Sequence, residues 1–353
     1  MLDMMEPGLL AALIGGFGGL ILGLAARLGR FCSMGAIEDA LYQGSDLRAR
    51  QWGVALGVAL LGTFTLIGLG QFDPAMTPYL GLAWSPLASI FGGLIFGYGM
   101  AMAGNCGFGA LARLGGGDLR NFVIVLVMGL STYVTLNGPL AELRVMLFPP
   151  RPAEGTLPGL AHGLKQWLGL SPVTTGIAAG LIILALSLSS RAFRADKKLI
   201  LWGLAVGVAI VSGWAGTSWL SLATFEAEPV SSHTFAAPIG DTLFYLMTSS
   251  AASPNFGVGS VVGVLAGAAI GSLIRGHFRW EACEDPRELK RQIGGAALMG
   301  VGAVVAFGCT VGQGLSAFSV LAYSAPVTIA AIVAGAALGL HQLIYGFSFA
   351  RKV

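Results

Sequence analysis

Three of the four cysteines in this 353-residue chain stand in glycine frames. Gly104-Asn105-Cys106-Gly107-Phe108-Gly109 ends one apolar run, and Gly308-Cys309-Thr310-Val311-Gly312 ends another. Each reads Gly-x-Gly, six residues, Cys, two residues, Gly: Gly97, Gly99, Cys106, Gly109 and Gly300, Gly302, Cys309, Gly312. The chain therefore carries an internal repeat about 200 residues apart. Cys32, in Arg30-Phe31-Cys32-Ser33-Met34-Gly35, is a third cysteine at a helix end with Gly following.

A free thiol titrates near pH 8.5 and stays protonated beside an anion, where it is a weak S–H donor suited to a soft, polarisable atom. Sulfur on the substrate would match three such donors. A buried cysteine is more often a small hydrophobe, so the functional reading rests on three at glycine breaks, two of them in repeat register. Half-helix N-termini at Gly107 to Gly109 and Thr310 to Gly312 offer backbone N–H groups and the positive end of a helix dipole, which bind anions. Asn105, Thr310 and Gln313 add polar side chains at the same breaks. No Cys-x-x-Cys or His/Cys cluster argues for a metal, and no cofactor is expected. Cys283, in the charged run Trp280 to Asp285, is left outside the site.

These groups need a scaffold, and composition names it. With 55% hydrophobic and 10% charged residues, and many apolar runs near the ~20 residues that cross a bilayer, the chain reads as an all-α polytopic membrane protein. Nine spans are expected: Leu9 to Leu28, Trp52 to Gly70, Pro86 to Ala103, Asn121 to Asn137, Val173 to Ser190, Leu199 to Leu220, Gly257 to Ile274, Ile293 to Phe307 and Pro326 to Phe347. Alternating loops then place 17 of the 20 Lys and Arg on one side, so the positive-inside rule puts the N-terminus outside, in the periplasm, and the C-terminus in the cytoplasm. Leu9 to Leu28 reads as a retained helix, since Asp3 and Glu6 precede it and no cleavage site follows.

The segment Ile239 to Ser250 is too short to cross and is expected to dip in and return, and Phe108 to Leu114 reads as a half-helix. Gly15, Gly19 and Gly23 give the first span a smooth face for close helix approach. Gly203-Leu204-Ala205-Val206-Gly207 matches Gly19-Leu20-Ile21-Leu22-Gly23, which divides a single membrane domain, 1–353, into a first repeat at 9–137, a linking span at 172–198 and a second repeat at 199–347. Under the expected topology the repeats are inverted, a design that brings broken helices together near the midplane. The proline-rich connection from Gly138 to Ser171 shows nothing chemical. His162 and His233 fall in outer segments and His277 in an inner loop, while His341 lies within the last span. Trp52, Trp84, Trp202, Trp214 and Trp219 sit near span ends and suggest an interfacial belt.

No Asp or Glu falls within the nine spans, and Arg27 is their one charge, which disfavours cation and proton relays and favours an anion. Arg27, Arg30, Arg113 and Arg120 are placed to draw it out on the cytoplasmic side.

The three cysteine motifs together resemble those of the YeeE/YedE family of bacterial sulfur transporters, over nearly the whole chain. The resemblance implies an hourglass-shaped inner-membrane protein that is not an enzyme, built of inverted repeats with short central helices. It implies thiosulfate uptake past Cys32, Cys106 and Cys309 by transient S–H to sulfur hydrogen bonds. A TusA-like cytoplasmic sulfurtransferase is the implied partner; nucleic acid is not. Other sulfur or selenium species, a membrane sulfurtransferase or thiol relay, and a plain anion channel stand as alternatives. A relay needs an activated thiolate, and only Arg30 lies close in sequence to one of the cysteines.

Overall fold

The computed structural model describes residues 6–153, 155–225, 228–282 and 285–346. Among these the chain is helical, with isolated β-bridges between loops, such as Asp118 with Glu281, and no strand. Cys283, Phe347 at the end of the last expected span, and the basic terminus lie outside the described residues.

The helices begin and end where the sequence punctuates. Helix α1 (Pro7–Leu28) opens on a proline and leads through a bend into α2 (Ser33–Glu38), followed by a π turn at Asp39–Gln43 that Gly44 stops. Next come α3 (Leu47–Gly68), the short α4 (Pro78–Gly81) and α5 (Pro86–Ala103). Gly104 closes α5 at φ 78°, a left-handed conformation that glycine adopts without steric cost. The half-helix α6 (Gly107–Gly115) follows, then α7 (Arg120–Leu136), α8 (Ala141–Leu147) and α9 (Leu160–Leu168). Beyond α10 (Pro172–Ser187) and α11 (Arg191–Ala195) lies α12 (Lys197–Ala223), whose N-terminus is capped by the Asp196 carboxylate. Helix α13 (Ala237–Thr248) occupies the expected re-entrant segment. Helices α14 (Phe256–Ile274) and α15 (Pro286–Val305) lead to a helical run after Cys309 that contains a π turn, Gly312–Ala317, and then to α16 (Ser324–Tyr345).

A helix stands at each of the nine expected spans, yet length and composition qualify six as membrane crossings: α1, α3, α5 together with α6, α12, α14 and α16. The pair α7 and α8, bent by 60°, makes a seventh if counted as one span. Helix α10 has 16 residues, and α15 spends its first turns on Pro286-Arg287-Glu288-Leu289-Lys290-Arg291. The chain is therefore a multi-pass membrane protein, with short and bent helices among the long ones.

Two glycine seams hold the centre. Helix α1 packs on α12 and α14, and α5 packs on α15 and α16. A Cβ added at Gly19 would come within 2.3 Å of the Ser260 carbonyl oxygen on α14, and one at Gly263 within 2.2 Å of the Gly16 oxygen on α1. The expected smooth face is thus met by a second one, and the backbones touch along Gly15, Gly19 and Gly23. Along the other seam, Gly97 of α5 faces Ile332 and Gly335 of α16 faces Leu94 in the same way. Helix α3 lies against α10 and α12, and α7 against α13 and α15.

Candidate functional site

Each of the three cysteines precedes the first turn of a short central helix, and each sulfur accepts the backbone N–H three residues on. Cys32 takes the amide of Gly35 at 3.4 Å, Cys106 that of Gly109 at 3.4 Å, and Cys309 that of Gly312 at 3.5 Å. A thiol is an unusual cap, since oxygen side chains are the preferred partners of these free amides. With its lone pair turned to the helix, the S–H bond is left to point elsewhere. The Cys-x-x-Gly spacing in all three motifs is the sequence form of this geometry.

Cys106 and Cys309 are buried, each about 1% exposed, while Cys32 is partly exposed. The breaks meet at Ser33, whose hydroxyl lies 3.3 Å from Cys106 Sγ and 3.4 Å from the Thr310 hydroxyl. Cys309 Sγ also accepts the Phe235 amide at 3.3 Å and lies 3.6 Å from Thr234 Oγ1. Phe31 stacks on Trp52 at 4.6 Å and meets Phe108 edge-on; Phe108 packs on Phe235 at 5.2 Å. A chain of aromatic rings therefore packs beside the three breaks.

The other expected site residues divide. Thr310 joins Ser33 in lining an apolar cavity of about 300 Å³ with Ile37, Trp52 and Ile332. The Gly109 and Gly312 amides, expected to be open to an anion, are engaged by the cysteine sulfurs. Gly107 and Gly312 also make room: a Cβ would lie 2.7 Å from Met128 Sδ and 2.5 Å from Thr234 Oγ1, respectively. Asn105 donates to Asn121 Oδ1 at 2.8 Å, and its own carbonyl oxygen is buried without a partner. Gln313 donates to the Ala306 and Phe307 carbonyls at 3.1 and 2.9 Å and accepts from Ser324, so its amide ties the end of α15.

Arg27 and Arg113 line a polar cavity of about 220 Å³ with Gly116, Asp118, His277, Arg279 and Glu281. Arg27 Nε donates to Ser272 Oγ at 2.6 Å, and Arg120 is held by Asp118 at 3.0 Å. Arg30 is exposed, at φ 54°, and does not line this cavity. The opposite end of α7, roughly 25 Å away for 17 residues, borders a cavity of about 210 Å³ at Leu136, with Tyr79, Thr234, Phe307 and Gly308 in its walls.

Sequence reasoning missed Ser33, Thr234 and Phe235. Ser33 adjoins Cys32, so its position was readable; Thr234 and Phe235 come from the segment before α13, which carries no cysteine or glycine break to mark it. His233, placed by sequence in an outer segment, is fully buried, with Nδ1 2.7 Å from Ser260 Oγ. Trp214 is buried and donates to Ser319 Oγ at 2.9 Å, and Trp52 stacks inside on Phe31, so the interfacial belt does not include them; Trp219, half exposed, fits it.

Comparison with known proteins finds relatives over most of the chain. The thiosulfate transporter TsuA of Escherichia coli (strain K12) is 26% identical over 342 residues, covering 84% of each chain. The thiosulfate transporter TsuA of Spirochaeta thermophila is 25% identical over 317 residues, covering 87% of this chain and 91% of its own. Residues 28–338 match the sulphur transport family, and with three cysteine-capped helices inside that stretch the chain belongs to it.

Proposed function

We propose that this protein takes up thiosulfate across the bacterial inner membrane, along a central path lined by Cys32, Cys106 and Cys309. The observation that carries the proposal is the repeated cap: each sulfur accepts a backbone amide, which frees its S–H for a passing anion. The terminal sulfur of thiosulfate is soft and matches a weak thiol donor, while helix dipoles at the same breaks favour its charge. Weak donors let the anion leave as readily as it arrives. The names of the two relatives support the choice of substrate.

The architecture is proposed to consist of two inverted repeats, 9–137 and 199–347, joined by 172–198. The packing pattern supports this. Exchanging α1 with α12, α3 with α14, α5 with α15 and α7 with α16 turns the contact of α1 on α14 into that of α12 on α3. It also turns α5 on α16 into α15 on α7. Nine crossings, an hourglass shape, an outer N-terminus and an inner C-terminus belong to the same reading, with the Arg27 and Arg113 cavity at the cytoplasmic exit. A TusA-like sulfurtransferase would consume the thiosulfate there. A covalent thiol relay is less favoured, since the described cationic side chains make no hydrogen bond to the three sulfurs.

The test is uptake of sulfur-labelled thiosulfate into cells or liposomes carrying wild type, Cys32→Ser, Cys106→Ser, Cys309→Ser and Cys283→Ser. Loss in the first three with Cys283→Ser unaffected is the expected result. Wild type that moves no thiosulfate would remove the substrate assignment, and uptake surviving all the serines would leave the cysteines as packing residues.

A further inference from the structure

We propose that Arg144, Tyr79 and Thr234 form a receiving site for a small oxyanion at the mouth next to Cys309. The proposal rests on the anion-transport reading above and names the groups that capture the anion before it meets a thiol.

Two adjoining cavities, of about 210 and 100 Å³, share Pro78, Tyr79, Arg144, Val304 and Phe307 in their walls. Arg144 is the one cationic side chain lining either, and no Asp or Glu lines them. Its Nε is buried without a hydrogen-bond partner, and Nη2 makes one long contact, 3.4 Å, with the Leu136 carbonyl. Among the described residues no carboxylate pairs with it. A half-buried guanidinium with an unmet donor facing an acid-free cavity is completed by an anion, and its planar fork suits two oxyanion oxygens.

From Arg144 the polar surface continues inward through two hydroxyls. A Cβ added at Gly312 would lie 2.5 Å from Thr234 Oγ1 and 3.3 Å from the Tyr79 hydroxyl, so both groups converge over that glycine. Thr234 Oγ1 is then 3.6 Å from Cys309 Sγ. Tyr79 is fixed edge-on against Phe307 and Trp214, with centroids 6.0 and 6.4 Å away. The ladder runs cation, phenol, alcohol, thiol, from the hardest donor at the surface to the softest inside. The cavity beside Arg27 differs, since Asp118 and Glu281 temper its cations. Unopposed positive charge at the Arg144 mouth raises the local anion concentration there.

The experiment is thiosulfate uptake as a function of concentration, at low and high salt, for wild type, Arg144→Gln, Arg144→Lys, Tyr79→Phe and Thr234→Val. Folding of each variant is checked by size exclusion and melting in detergent. Arg144→Gln is expected to raise KM roughly tenfold, with the maximal rate kept within about twofold and the salt dependence of KM flattened. Arg144→Lys keeps the charge and should recover most of the affinity. Unchanged KM in a folded Arg144→Gln overturns the receiving site while leaving the uptake reading intact. Wild type that takes up no thiosulfate overturns both.

Discussion

The hydroxyl of Ser33 stands 3.3 Å from the sulfur of Cys106, joining the break after α1 to the break after α5. Since the same hydroxyl also reaches Thr310, beside Cys309, one small side chain touches all three cysteine motifs. Ser33→Ala should therefore reduce thiosulfate uptake more than it reduces stability. The expected stability loss is about 1 kcal/mol, that of a buried hydroxyl hydrogen bond. Uptake equal to wild type in a folded Ser33→Ala protein would detach the hydroxyl from the path.

Cysteine variants should separate folding from transport. Serine is a preferred N-cap, so Cys106→Ser is expected to hold α6 at least as well as the thiol does, with an unchanged or slightly higher melting temperature. Uptake should nonetheless fall, because a hydroxyl is a harder donor than a thiol. A Cys106→Ser protein that melts well below wild type would show that the sulfur is needed for packing instead.

Gln313 should behave as a structural residue despite its place four residues after Cys309. Gln313→Ala leaves the Ala306 and Phe307 carbonyls without their amide donor, at an expected cost of about 1–3 kcal/mol. Detergent melting should register that loss, and KM of the protein that remains folded should stay near the wild-type value. A large KM shift without a melting change would return Gln313 to the path.

The α1 and α14 seam has no space for a side chain at Gly15, Gly19 or Gly23. Gly19→Val would place a Cβ within 2.3 Å of the Ser260 carbonyl oxygen with two more carbons beyond it, and the fold should fail or melt far lower, while Gly294→Val, where nothing lies within reach of a Cβ, should be tolerated. Comparable melting of the two variants would contradict the packing.

His162 supplies a pH dependence outside the spans. Burial, with Lys165 nearby, holds its imidazole below the ordinary value of 6.5, so the folded protein disfavours its charged form. The unfolded chain binds the proton more readily, and the contribution of His162 to stability is present above pH 6.5 and lost as pH falls below it. His162→Gln should flatten the melting temperature between neutral and mildly acidic pH relative to wild type.

Much of this architecture was legible because glycine and cysteine carry plain geometric messages. Gly104 had to end α5, and the end at Ala103 coincides with the sequence boundary. The spacing Cys-x-x-Gly marked the helix breaks, though not that the sulfur would cap the helices and occupy the amides they seemed to leave open. Crossing number was harder. Hydrophobicity marks α10 and α15, yet one is short and the other begins polar, so length and composition qualify six of the nine expected spans. Thr234 and Phe235 were invisible because a residue that lends an amide or a hydroxyl from an irregular segment has no periodic signature. Arg144 was passed over for a related reason: its chemistry depends on which carboxylates are absent from its surroundings, and a one-dimensional reading does not show surroundings.

The glycine seam also sets an order of assembly. The glycine face of α1 meets the backbone of α14, far along the chain, and α5 finds its partners in α15 and α16. At about 5–20 residues per second, roughly ten to fifty seconds of synthesis separate the emergence of α1 from that of α14. Through that interval the bare glycine face waits unmatched in lipid or against the insertion machinery. The seam cannot close within the first half alone, and a ribosome stalled before Phe256 leaves α1 with α12 but without the helix its glycine face is shaped to meet.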